Sequence, residues 1–128
     1  MTREVRKHYK NIMIVHQWEE QGVRRLHLGI LTRRQFDLSE RRLRGTPGAG
    51  QPGWLIDDFS GSWIDSDPLT WLKLVSYCVA AVAAAPEWQR HAVVLPPAML
   101  ERLASSVQGA DEAFRLFDCP AQAMQWAR

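Results

Sequence analysis

Residues 54–86 run WLIDDFSGSWIDSDPLTWLKLVSYCVAAVAAAP, from Trp54 to Pro86. Trp54 to Phe59 has the length and apolar content of a buried strand. Ser66 or Asp67 before Pro68 is a helix start, because a proline ring is already set for the first helical position. The helix should continue to about Ala85, where Pro86 stops it. Its Leu69, Trp71, Leu72, Leu74, Val75, Cys78, Val79 and Val82 place apolar side chains around most of the circumference. Such a helix packs on a sheet with one side and on something else with the other. A strand feeding a helix in this way is half of a βαβ unit.

The flanking sequence extends the pattern in both directions. Downstream, His91 to Leu95 is a short apolar strand. Pro97 to Val107 is a helix with Met99, Leu100, Leu103 and Val107 inward and Gly109 as its C-cap, and Ala113 to Phe117 is a last strand. Asp118 then caps a final helix carrying Ala121, Met124 and Trp126. Upstream, Asn11–Trp18 and Val23–Leu31 form a hairpin about a Gln21-Gly22 turn. That register sets Met13 against Ile30, Val15 against Leu28 and Gln17 against Leu26 on the expected buried face. His16 then lies opposite His27 on the other face, with Ile12, Ile14, Trp18, Arg25, Gly29 and Leu31. Thr32-Arg33-Arg34-Gln35 has the form of a capping box opening a helix with Phe36 and Leu43 on one stripe. The expected fold is α/β: one mixed, mostly parallel sheet of about five strands, opened by an antiparallel hairpin and covered by helices. Residues 1–128 form one domain, with a flexible Gly/Pro loop at 45–53.

Composition bounds the function classes. The 128 residues are 46% hydrophobic and 23% charged, the balance of a folded globule rather than a disordered or repeat chain. Net charge is only +2, but residues 1–44 carry eleven basic and five acidic side chains, and the remainder five basic and nine acidic. Cys78 in the helical run and Cys119 before Pro120 make neither a disulfide framework nor a CxxC pair, which suits a reducing cytoplasm. No secretory signal is expected at the N-terminus. No membrane span is expected either, since Lys73, Ser76 and Tyr77 interrupt the most apolar stretch.

The element order, together with Gly29-Ile30-Leu31-Thr32, Trp54 to Phe59, His91-Ala92-Val93-Val94 and Leu116-Phe117-Asp118 through Ala123 and Trp126, resembles the STAS domain. It is most similar to the anti-sigma factor antagonist-like, SpoIIAA-like and SEC-fourteen-like stand-alone proteins of bacteria. Ile64-Asp65-Ser66-Asp67-Pro68-Leu69 is similar in position to the Asp-Ser-Ser-Gly-Leu motif before the second helix of anti-sigma antagonists, whose second serine is phosphorylated. Asp67 stands at that serine and Pro68 at the glycine. A carboxylate offers one charge and two acceptor oxygens where phosphate offers about −1.5 to −2 and three. The resemblance implies a non-enzymatic, cytoplasmic regulatory module, without cofactor, that binds a protein partner or a small apolar ligand, with a homodimer as a further expectation. The recognition corner is Asp65, Ser66, Asp67 and Leu69.

Other residues carry chemical readings of their own. A metal held by His16 and His27 would need a third ligand that the sequence does not show, so no metal is expected. Asp57, Asp58, Asp65 and Asp67 cluster near the end of the central strand and supply an enzyme reading, with no catalytic motif beside them. Arg33, Arg34, Arg41, Arg42 and Arg44 form a basic face diluted by Asp37 and Glu40, and supply the alternative of an adaptor for nucleic acid or an acidic surface. Six tryptophans exceed ordinary packing needs. Trp54 and Trp71 read as core, and Trp18, Trp63, Trp71 and Trp88 as pocket or interface candidates.

Overall fold

The computed structural model describes residues 12–30, 32–45, 53–63, 68–83, 88–106 and 113–128. Strands β1 (Ile12–Glu19) and β2 (Gly22–Ile30) lead into helix α1 (Arg33–Gly45). Strand β3 (Gly53–Asp58) and the two-residue β4 (Ser62–Trp63) precede α2 (Pro68–Ala83). Then follow β5 (Trp88–Val94), α3 (Pro97–Ser106), β6 (Phe114–Phe117) and α4 (Pro120–Ala127). The strands line up as β1-β2-β3-β5-β6, with β1 antiparallel to β2 and the other neighbours parallel. After a turn at Ser60 and Gly61, β4 resumes the pairing with β2 through Gly29 and Ile30. The sheet is thus mixed and opened by a hairpin, as the sequence predicts.

Each crossover from β2 to β6 steps in the same direction across the sheet. Right-handed crossovers that never reverse direction put their helices on one face. The main core lies there: Val23, Leu55, Val93 and Leu95 meet Phe36 and Leu43 of α1 and Trp71, Val75 and Val79 of α2. Among the described residues only α4 covers the opposite face, where Ala123 and Ala127 pack on Trp54, Ile56, Ala92 and Val94. Trp54 and Trp71 are core, as expected, but in different layers.

The hairpin departs from expectation in register and in facing. Its turn is Glu20-Gln21, so Gly22 opens β2 against Glu19, and every pair is displaced by two residues. Met13 pairs Leu28 and Val15 pairs Leu26, while His16 lies opposite Arg25 and not His27. Gly22 is needed as the first residue of β2 because the Trp54 indole occupies its side-chain space: a Cβ there would sit 2.1 Å from a ring carbon. The expected buried face is only half-buried at Val15, Leu26 and Leu28, whereas Val23, Arg25 and His27 are buried beneath the helices.

At α1, the Thr32 hydroxyl accepts the Gln35 backbone N–H at 3.2 Å, the expected cap. At α4 the N-cap is Cys119 rather than Asp118; no side chain caps it, and Pro120 in the first turn lacks one of the orphan N–H groups. Between Gly45 and Gly53 the expected Gly/Pro loop lies outside the described residues. No described helix is long and apolar enough to cross a membrane.

Candidate functional site

Asp57 lies in the middle of β3 with β2 on one side and β5 on the other. Parallel pairing puts Arg25 beside it, and side chains two residues apart on a strand share a face. His27, two residues after Arg25, and His91, two before Val93, therefore converge on the same carboxylate. Arg25 donates from Nε to Asp57 Oδ1 at 2.6 Å and from Nη2 to Oδ2 at 3.1 Å. His27 Nε2 lies 2.8 Å from Oδ1, and His91 Nε2 lies 2.8 Å from Oδ2. Arg25 is 0% exposed and Asp57 1%, so this is an ion pair inside the core.

Helix α1 closes the network from above. Arg25 Nη1 donates to Glu40 Oε2 at 2.5 Å and to Ser39 Oγ at 3.2 Å. Ser39 Oγ is also 2.7 Å from His16 Nε2, which ties β1 to the same centre. The Arg25 guanidinium further lies over the Phe36 ring, 4.7 Å from its centroid.

The electrostatics follow from this geometry. Burial alone would push the Asp57 carboxyl up, but the Arg25 charge and the two histidine hydrogen bonds outweigh it and hold the group well below the usual carboxylate range. Burial likewise opposes the Arg25 charge, yet Asp57 and Glu40 raise its affinity for the proton. Burial is the largest influence on His27 and lowers its pKa, against the pull of Asp57. His16 is lowered to about 4, by burial first and by Arg25 next. A carboxylate only accepts, so His27 and His91 present Nε2–H to Asp57, and neutral His27 keeps a lone pair on Nδ1.

This centre is a structural clamp before it is anything chemical. Every polar atom of the Arg25 guanidinium and both oxygens of Asp57 are engaged. Asp58 belongs to the other face, where its Oδ2 takes Arg24 Nη2 at 3.0 Å and its Oδ1 takes the Ser60 N–H at 3.0 Å and hydroxyl at 2.5 Å. The two adjacent carboxylates of β3 are therefore separated by the sheet, and Asp65 and Asp67 lie outside the described residues. Among the described residues no three His, Cys, Asp or Glu side chains gather as metal ligands.

The architecture has a counterpart among solved structures. An uncharacterised protein of the DUF3478 family from Shewanella loihica PV-4, with a SpoIIAA-like fold, superposes with a TM-score of 0.54 at 17% identity, over 92% of this chain and 94% of that one. The fold is SpoIIAA-like. No family model and no curated protein matches the chain by sequence.

In this SpoIIAA-like frame the remaining predicted residues are dispersed. Leu69 stands in the first turn of α2 and is 55% exposed, whereas Ser66, beside the two aspartates of the corner, is outside the described residues. Trp18 is 42% exposed at the end of β1, and Trp88 is half-buried. Trp71 is a core residue whose indole Nε1 donates to Ser62 Oγ at 3.1 Å. Trp63 lies in β4. Arg33, Arg34, Arg41 and Arg42 are exposed on α1, with Arg33 over the Tyr77 ring, and Arg44 lies on the same helix.

Sequence reasoning paired His16 with His27 but missed Arg25, Ser39, Glu40 and His91 as one network. The signal was present in Trp54 to Phe59: an acidic residue inside an apolar strand demands a buried cation and donors. Their positions, on β2, α1 and β5, follow only from the sheet order.

Proposed function

We propose that the chain is a cytoplasmic regulatory binding module of the STAS type, without chemistry of its own, and that the corner Asp65, Ser66, Asp67 and Leu69 docks a protein partner. The exposure of Leu69 carries this reading. It opens α2 beside the corner while Trp71 and Leu72, the next apolar residues, are buried. An exposed leucine at such a corner suits an interface anchor surrounded by polar residues. Engagement of Asp57 and Asp58 in structural pairs also weighs against the enzyme alternative. The test is affinity capture from the native host with wild-type chain and with Leu69→Arg, both checked for equal melting temperature. Proteins retained by wild type and lost by the variant support the reading; identical retention overturns it.

One observation favours a second reading, an adaptor for nucleic acid or an acidic surface. Arg33, Arg34, Arg41 and Arg42 are all exposed along α1, a run of basic side chains that an acidic surface could meet. Retention on duplex DNA or RNA at low salt that falls steeply with added salt supports it, and no retention at low salt removes it.

A further inference from the structure

The sheet ends on two unlike edges. At one, β6 is four residues long, carries the exposed Arg115 and is followed by Asp118 and Pro120. A short strand, a charge and a nearby proline are devices that keep an edge from pairing further. At the other, β1 is eight residues long and holds register with β2 through eight consecutive pairs without a bulge. It has no charged residue before Glu19, and neither proline nor glycine. The Gln21 carbonyl, just before β2, takes the Trp54 N–H at 3.1 Å, so odd-numbered residues of this segment bond toward β3 and even-numbered ones toward β1. Leu26 pairs Val15 and Arg24 pairs Gln17, so the odd-numbered residues of β1 bond back to β2. Ile12, Ile14, His16 and Trp18 therefore turn their N–H and C=O groups outward, where no described strand meets them. Two of the three large apolar side chains exposed among the described residues, Trp18 and Leu38, border this edge. Arg33 and Asp37 of α1 meet Tyr77 of α2, so Leu38, the next position round the helix, is turned away from α2.

We propose that the outer side of β1 is a docking edge for a second copy of this chain, paired antiparallel about a two-fold axis so that two sheets become one. Outward-bonding residues must oppose outward-bonding residues, which leaves few registers. The register that uses the strand from end to end sets Val15 against its own copy on the axis, Ile14 against His16, and Ile12 against Trp18. Every outward N–H and C=O from Ile12 to Trp18 then has a partner. A slide of two residues in pairing leaves either Ile12 or Trp18 with no partner inside the strand. Charge sets the direction. Lys7 and Lys10 precede β1 in the sequence and Glu19 and Glu20 follow its apolar run, so an antiparallel pair brings unlike signs together at both ends where a parallel pair opposes like signs. On the face away from α1, the half-buried Val15 and Leu26 of each copy become continuous across the axis, beyond the layer that α4 forms. The same patch meets itself in such a contact, so association closes at two copies. The interface does not include Leu69, and it stands apart from the partner reading.

Sedimentation velocity of the full chain, combined with amide hydrogen exchange, tests this. Wild type should sediment in the micromolar range at twice the 14.7 kDa mass of the chain, with the outward Ile14 and His16 amides protected from exchange. Val15→Lys sets two like charges against each other on the axis and should weaken dimerisation by at least about tenfold, with both amides exchanging freely. Mixed with Val15→Glu it should regain the dimer, since residue 15 then faces an opposite charge. Ile14→Pro, which removes an outward N–H and no bond to β2, should also be monomeric. A wild-type chain that stays monomeric throughout the micromolar range overturns the proposal. So does a dimer that Val15→Lys and Ile14→Pro both leave intact, or a pair of charge variants that stay apart when mixed. Fast exchange of the Ile14 and His16 amides in a wild-type dimer overturns it as well, and that reading needs no variant to fold.

Discussion

At the scale of single residues, the decisive contact is the buried Asp57 carboxylate against the Arg25 guanidinium. Replacing both partners by apolar groups of similar volume would be mild, but removing one leaves the other charge stranded in the core. Asp57→Asn keeps the shape and deletes the charge, and should destabilise the fold by about 3–5 kcal/mol, read as a lower urea midpoint with little change in slope. A loss below about 1 kcal/mol would mean that Arg25 is solvated in a way its 0% exposure forbids. The histidines set the pH dependence. Burial lowers His16 from 6.5 to about 4 and lowers His27 in the same direction, so between those limits the unfolded chain binds more protons than the folded one. Stability is then fully present above about pH 6.5 and falls as pH drops toward 4. Asp57, held well below 3.8, adds a further loss under that pH as its carboxylate is titrated. Urea midpoints measured from pH 7.5 to 4 should decline, and His16→Gln, which retains a side chain able to bond Ser39, should flatten the decline. An unchanged slope in that variant would assign the whole effect elsewhere.

At the scale of elements, the hairpin and β3 are locked together by the Trp54 indole lying on Gly22. The required shift is in an indole packed within a buried layer, not in a free side-chain tip. Gly22→Ala should therefore cost about 1–3 kcal/mol and change the near-ultraviolet dichroism or fluorescence of Trp54. Wild-type spectra and stability would show that the β1–β2 turn adjusts freely. The same contact bears on why the hairpin register departs from its sequence reading, whereas the other elements, apart from the two-residue β4, are legible. The strand and helix lengths from Trp54 to Trp126 are set by local periodicity and proline punctuation, which a sequence displays directly. The facing of β2 is not local: Leu26 and Leu28 look like the buried set and Arg25 and His27 like the solvated set until Asp57 and His91 are known to sit beside them. The polar side wins because Asp57 lies across from Arg25 on the helix-covered face. Likewise the His16–His27 pairing was right about the shared face and wrong about the register, since a two-residue shift preserves facing. The Leu69 corner was legible only as a resemblance.

At the scale of the whole molecule, the one-way strand order loads three helices onto one face and, among the described residues, leaves the other to α4, an element of eight residues. That helix has little propensity support of its own at this length, so its stability comes from packing. It is held by Ala123 and Ala127 on the sheet, by Phe117 against Trp126, by Arg90 donating to the Trp126 carbonyl, and by Arg128 paired with Glu19 of β1. The exposed Arg128 pair contributes little, whereas the apolar cover over Trp54, Ile56, Ala92 and Val94 contributes most. Deleting residues 119–128 should lower the melting temperature by at least about 10 °C and expose a sheet face that binds a hydrophobic dye and self-associates. Arg128→Ala alone should shift melting by less than about 2 °C. Calorimetry with light scattering separates the two outcomes. A truncated chain that melts and elutes as the full chain does would show that the second layer is not needed to close the sheet, and that the helices on the opposite face suffice to hold it.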